Sequence, residues 1–194
     1  MPATAPMTEL EAVNEMLMSI GQAPVNTLAV SGIKDVSIAH GRLQQATRRV
    51  LTRGWAFNTD DGYELSPDVD GVILIPNNAL RVEGGPGTSY VLREHPTKGR
   101  ALYDRNTRSF DFTDPVPLRI VWAFEFEELP EAARIYIAVS AGRRFQSKVV
   151  GSQILDSYEA EDEQRAWILL EREERAVRKT NLFGSNPVLA RVRN

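Results

Sequence analysis

The apolar residues change their spacing twice along the chain, and that double change limits the fold more than any single motif does. Helical spacing holds to about Gly54. Short apolar or alternating runs, broken by Gly and Pro, follow to about Phe126, and helical spacing returns to about Thr180. Side chains share a face about every 3.6 residues in a helix and every other residue in a strand, so the order is α, β, α. The expectation is an α+β fold: a helical bundle with N- and C-terminal helices, one of them long and C-terminal, carrying an inserted antiparallel β-sheet or small barrel. The division expected is a flexible leader at 1–7, a discontinuous helical-bundle domain from 8–54 plus 127–180, an inserted β domain at 55–126, and a C-terminal docking tail at 181–194.

Local chemistry places the helix ends. Thr8 and Glu11 have capping-box spacing, in which each side chain satisfies an amide the helix start leaves unpaired. Leu10, Val13, Leu17 and Ile20 then fall on one stripe and Gly21 supplies a left-handed stop. A second helix is expected from about Asp35 to Arg53, with Val36, Ala39, Leu43, Ala46 and Val50 on its buried face and Gly54 closing it. Pro130 opens a third, whose apolar residues from Ala133 to Val139 go nearly all round, so it is either fully buried or sandwiched between two surfaces. The last helix, about Ser152 to Thr180, has acids in its first half and bases at its end, which complements the helix dipole. Glu161/Arg165, Glu171/Arg175 and Glu174/Arg178 add acid-before-base pairs four apart. On its wheel Ile154, Leu155, Tyr158, Ala166, Leu169 and Leu170 share a face, while Trp167 and Ile168 point away and need another partner: either the core wraps further round, or these two belong to a subunit interface.

Strands are expected at Val72 to Ile75, Tyr90 to Arg93, Ala101 to Tyr103, Phe110 to Phe112 and Leu118 to Phe124. Turns are expected at Asp61-Gly62, Asn77-Asn78, Gly84 to Gly87, Lys98-Gly99 and Asp104 to Thr107.

Composition removes whole classes of function. With no cysteine there is no disulfide framework, thiolate metal site or thiol nucleophile. The leader lacks the basic and apolar regions of a secretion signal. No stretch approaches the roughly 18 to 20 consecutive apolar residues of a membrane helix, so a soluble protein is expected. A net charge of −3 argues against a duplex-wrapping DNA binder, and no nucleic-acid-binding module stands out. Arg48, Arg49 and Arg53 form a local basic patch read as ion-pairing.

The search for catalytic groups is equally sparse. His40 sits in a helical pattern without ligand spacing and His95 precedes a proline in a turn, so neither makes a metal motif. Gly84 to Thr88 lacks the Lys-Ser/Thr ending of a phosphate loop. Asp60, Asp61, Glu64, Asp68 and Asp70 cluster in a turn-rich stretch that fails the calcium-loop order. Solvated turn acids are the plain reading, a carbohydrate-hydrolase carboxylate pair the sharper one. No catalytic, cofactor or metal residue is assigned, no cofactor is called for, and the chain is expected not to be an enzyme.

Function therefore comes from resemblance. The stretch from Thr8 to Leu28, an acidic amphipathic helix running into Ile20-Gly-Gln-Ala-Pro-Val25, resembles the opening of the tail tubular protein A family of short-tailed bacteriophages. Arg53-Gly-Trp-Ala-Phe-Asn58, Leu65-Ser-Pro-Asp-Val69, Tyr103-Asp-Arg105, Leu129-Pro-Glu131 and Arg144-Phe-Gln146 look like that family's next landmarks, covering Thr8 to about Arg178. The resemblance implies a virion tail protein assembled in the host cytoplasm: an adaptor ring, twelve-membered in the virion, that joins portal to tail nozzle, seats tail fibres and lines the DNA channel without reading its sequence. It also implies no membrane contact. Subunit-interface candidates are Tyr136, Arg143, Arg144, Trp167 and Ile168. Candidates for docking on the portal are Leu182, Phe183, Val188 and Leu189. The rivals are a tail-associated carbohydrate hydrolase using acids of the β region and a free cytoplasmic regulatory protein.

Overall fold

The computed structural model describes residues 5–29, 34–149 and 153–185, with the side chains of 148–149, 153–159 and 180–185 outside the description. The chain parts into two compact units, one drawn from Met1–Val50 and Glu125–Asn194, the other Leu51–Phe124.

The first unit is helical. Helix α1, Glu9–Ser19, begins in the expected capping box: Thr8 accepts from the Glu11 amide while Glu11 accepts from the Thr8 amide. It ends with Gly21 at φ +78°, the Gln22 amide reaching the Leu17 carbonyl and the Gly21 amide that of Met18, the bond pattern of a Schellman stop. Asn14 then grips the extended chain beyond the stop, accepting from Val25 N–H at 2.8 Å and donating to its carbonyl at 2.9 Å. Helix α2, Lys34–Leu51, buries all five residues of its expected stripe.

Helix α3, Glu131–Val149, is the sandwiched one: of its residues 131–147 only Glu131, Arg144 and Ser147 are exposed, and it packs on both α1 and α4. Its start is pinned by Arg134, which donates to the carbonyls of Leu129 (2.7 Å), Met7 (2.8 Å) and Glu127. The α1 start is returned to the same place by Met7 N–H on Glu131 and Glu9 N–H on Glu127. Helix α4, Gln153–Ser185, runs about 50 Å at ~1.5 Å per residue, five residues further than the charge pattern implied. No helix among the described residues is long and apolar enough to cross a membrane.

The second unit is all antiparallel. Strands β1 (Thr59–Leu65), β5 (Val116–Trp122) and β2 (Ala79–Gly84) form a sheet in the order β1-β5-β2, and β3 (Tyr90–His95) pairs with β4 (Gly99–Asp104) in a hairpin. Their inner faces close on Ile73, Ile75, Ala79, Leu102, Leu118, Ile120 and Trp122.

Two strands were not legible in the sequence. Asp61-Gly62, expected as a turn, lies inside β1 at a bulge between Asp60 and Tyr63, where Gly62 takes φ +74°. Both β1 and β2 are edge strands, and five consecutive β1 residues are exposed, so neither carries the alternation that marks a half-buried strand. Conversely, 72–75 and 110–112 form isolated bridges rather than strands, joined to their neighbours through Leu102 N–H on Ile73 and Phe112 N–H on Gly71. Gly71 and Pro76 bracket the first of these runs too closely for a full ladder.

The two ends of the β unit meet at Asn58, which is 1% exposed. Its amide nitrogen donates to the carbonyls of Leu51 (3.0 Å) and Trp122 (2.7 Å), and its oxygen accepts from Trp55 N–H (2.8 Å). Beside it Gly54, at φ +78°, leaves no room for a side chain: a Cβ there would lie 3.0 Å from Arg81 and from Val121. Asn58→Leu removes three buried hydrogen bonds at once and is expected to lower stability by about 3 kcal/mol, at roughly 1 kcal/mol per bond. Urea unfolding reads this as a lower midpoint at unchanged slope. A loss below about 1 kcal/mol would show that the unit closes without this side chain.

Candidate subunit interface

The residues singled out on α3 and α4 divide into two groups. Tyr136 of α3 and Trp167 of α4 meet each other, ring centroids 5.0 Å apart at 58°. Arg143 reaches across to Glu163 at 2.9 Å. Together with Ala166 and Leu170, 7% and 2% exposed, these contacts fasten α4 to α3. Trp167, expected to point away from the core face, thus has a partner within its own unit. Leu169, expected on that face, is 41% exposed. The inner arc runs through Glu163, Ala166, Trp167, Leu170 and Glu174, turned from the apolar average of the helix because the surface it meets is the Tyr136 side of α3.

What α4 leaves outside is apolar as well as charged. Ile168 is 56% exposed, Leu169 41% and Val177 47%, and Arg144 of α3 is also exposed. Around them the three expected pairs all form: Glu161 with Arg165 at 3.2 Å, Glu171 with Arg175 at 2.9 Å, and Glu174 with Arg178. Helical pairs four apart contribute only a few tenths of a kcal/mol each. Leu182 and Phe183 lie on the last turns of α4 with their side chains outside the description, and Val188 and Leu189 lie outside the described residues.

The acids that a hydrolase would use are engaged elsewhere. Asp60 accepts the Trp122 indole N–H at 2.8 Å. Asp61 stands 3.4 Å from Arg119 Nε, near enough for an ion pair and poorly aligned for a hydrogen bond. Asp68 and Asp70 share the Lys98 ammonium at 2.6 and 2.5 Å. Asp68 also accepts from the Asp70 and Val72 amides, fixing the loop that carries the wholly exposed Val69. The Lys98 hydrogen bond first, then the Val72 amide, hold the Asp68 carboxyl below the usual carboxylate range, opposite to what a general acid needs. The Asp68 and Asp70 bonds raise Lys98 in turn. Among the described residues the one carboxyl pushed up is Glu15 on α1, by burial and then by Glu11. It lines a groove of about 190 Å³ with Arg143 and Asp162, below the ~300 Å³ at which ligand pockets begin.

The histidines and arginines are used structurally. His40 Nε2 lies 3.0 Å from Glu9 and joins α2 to α1, a partner 31 residues away that no local spacing reveals. His95 packs edge-on against Phe110. Of the basic patch, read as ion-pairing, Arg49 donates to the Ser140 hydroxyl and Arg53 covers the Trp55 ring. No group of three or more His, Cys, Asp or Glu poised for a metal occurs among the described residues.

The sequence model of the family described as "Tail tubular protein" matches residues 10–180. The chain is also 33% identical to Tail tubular protein A of Klebsiella phage KP34 over 133 residues, 68% of each chain.

The two groups of α4 residues separate in one experiment on the isolated chain. Trp167→Ala is expected to cost about 2 to 3 kcal/mol of stability by stripping the Tyr136 contact. Ile168→Ser, at an exposed site, is expected to cost under about 0.5 kcal/mol. Urea denaturation measures both, and the reverse order would mean that Ile168 rather than Trp167 packs on α3.

Proposed function

This chain belongs to the tail tubular protein family, a structural protein of the bacteriophage tail, and from that premise we propose that its copies form a closed adaptor ring between portal and tail nozzle. The observation that carries the reading is the outward half of α4. Ile168, Leu169 and Val177 are exposed on a helix whose inner arc is already filled, and burying one such side chain contributes about 1.5 to 3 kcal/mol. Repeated around a ring, that gain recurs at every subunit boundary. Head-to-tail rings need two different surfaces on each subunit, one meeting the other on the next copy. The α4 surface, with Arg144 nearby in sequence to the end of α3, is assigned as one of them.

On this reading the protein acts mechanically. Twelve copies fix the diameter of an axial channel through which DNA passes without sequence recognition, and the outer wall seats the tail fibres. Assembly takes place in the host cytoplasm and the product resides in the virion tail. The role is not enzymatic: Asp60, Asp61, Asp68 and Asp70, the carboxylates a carbohydrate hydrolase would draw on, are each held by an indole, a guanidinium or an ammonium.

The test is assembly on a verified cognate portal, with rings counted by electron microscopy. Wild-type chain is expected to add a second ring with one copy per portal subunit. Ile168→Glu with Leu169→Glu is expected to leave the isolated subunit folded by circular dichroism and to abolish the added ring. Undiminished rings from the variant would move the contact off α4. No ring from the wild type would overturn the adaptor reading itself.

A further inference from the structure

The β unit carries an open groove of about 380 Å³ with no function assigned above, walled by Tyr90, Phe112, Pro115 and Val116 and rimmed by Asp111 and Asp114. Its shape is firmly set. Tyr90 and Phe112 meet edge to face at 5.6 Å, Phe112 N–H bonds the Gly71 carbonyl at 2.8 Å, and Thr88 closes the turn at Gly85. No lysine or arginine lines it. Asp111 and Asp114 are exposed, accept only the hydroxyls of Ser109 and Thr113 in the side-chain bonds seen, and have no ion pair among the described residues. The groove therefore offers an apolar, aromatic and proline wall beside two uncompensated negative charges.

One segment of this chain has the complementary chemistry. Beyond the end of α4 at Ser185, residues 186–194 read Asn-Pro-Val-Leu-Ala-Arg-Val-Arg-Asn, with two arginines and no acid. Extended, such a segment places Val188, Ala190 and Val192 along one side and Leu189, Arg191 and Arg193 along the other, because successive side chains in a strand face opposite ways. We infer that residues 187–193 of one subunit lie extended in the Tyr90/Phe112 groove of a neighbouring subunit, valines on the aromatic wall and arginines against Asp111 and Asp114. This rests on the ring reading, for which it supplies a second, strap-like contact between copies. It gives Val188 and Leu189 a seat on a neighbouring copy instead of on the portal.

The absence of native cysteine makes the test specific. Full-length chain carrying Thr113→Cys and Ala190→Cys is assembled on the cognate portal and treated with a short bis-maleimide. The expected result is a ladder of covalently joined subunits that requires both cysteines. The ladder is lost when Asp111→Lys and Asp114→Lys are added, and regained when Arg191→Glu and Arg193→Glu are added as well. Rings that assemble with no ladder, or with linkage confined to single chains, would overturn the strap and leave the ring intact. A ladder indifferent to the charge reversals would equally overturn it, since the recognition proposed is electrostatic. Failure to form rings at all would sink both readings.

Discussion

The helical unit is organised by the need to cover α3 on nearly every side. A helix with apolar residues all round is stable in water only when neighbours occupy each face, and here α1 and α4 lie against it while Arg49 of α2 reaches its buried Ser140. The other features of the unit follow from that demand. Arg134 gathers three carbonyls at the start of α3, and Glu127 and Glu131 draw the start of α1 to the same point. The Glu9 to His40 contact ties α2 to α1. Backbone groups at these helix ends would otherwise lack partners, so the polar contacts make the sandwich unique where hydrophobic burial alone makes it merely favourable.

Asn58 performs the corresponding service for the β unit, joining the chain where it arrives at Leu51 to the strand by which it leaves at Trp122. The stretches resembling the family combine such caps and turns with core residues, Val13, Leu17, Trp55 and Phe145 among them. Thr8, Asn14 and Gly21 finish α1; Gly54 and Asn58 close the insertion; Asp68 fixes the 65–69 loop; Leu129 to Glu131 starts α3. Each needs one side chain of one chemistry at one place.

That difference also decides what was legible. The Thr8 capping box, the five-residue stripe of α2 and the acid-before-base pairs of α4 depend on residues within a single helix or its cap, so spacing alone reveals them. Strands β1 and β2 depend on β5 lying between them, and Asp61-Gly62 looks like a turn until that partner is known. Trp167 is similar: its partner Tyr136 is a residue of another helix, and a wheel drawn on α4 alone places Ala166 and Leu170 inward correctly but exchanges Leu169 with Trp167. At the candidate interface, the exposure of Ile168 was legible and its surroundings were not. The groove rimmed by Asp111 and Asp114 left no sequence signal, because residues 85–90 and 111–117 become neighbours only through the sheets.

On the ring reading the chain has the properties of a part: capped helices, paired surface charges, engaged carboxylates, and apolar side chains left outward on a long helix. The central claim is that these outward surfaces are satisfied by identical copies within the virion. Quantitative mass spectrometry of purified, DNA-filled particles, with labelled peptides of this chain and of the portal as standards, tests it directly. One copy of this chain for each portal subunit is the expected result. Absence from the particles, or a ratio well below one, would contradict it.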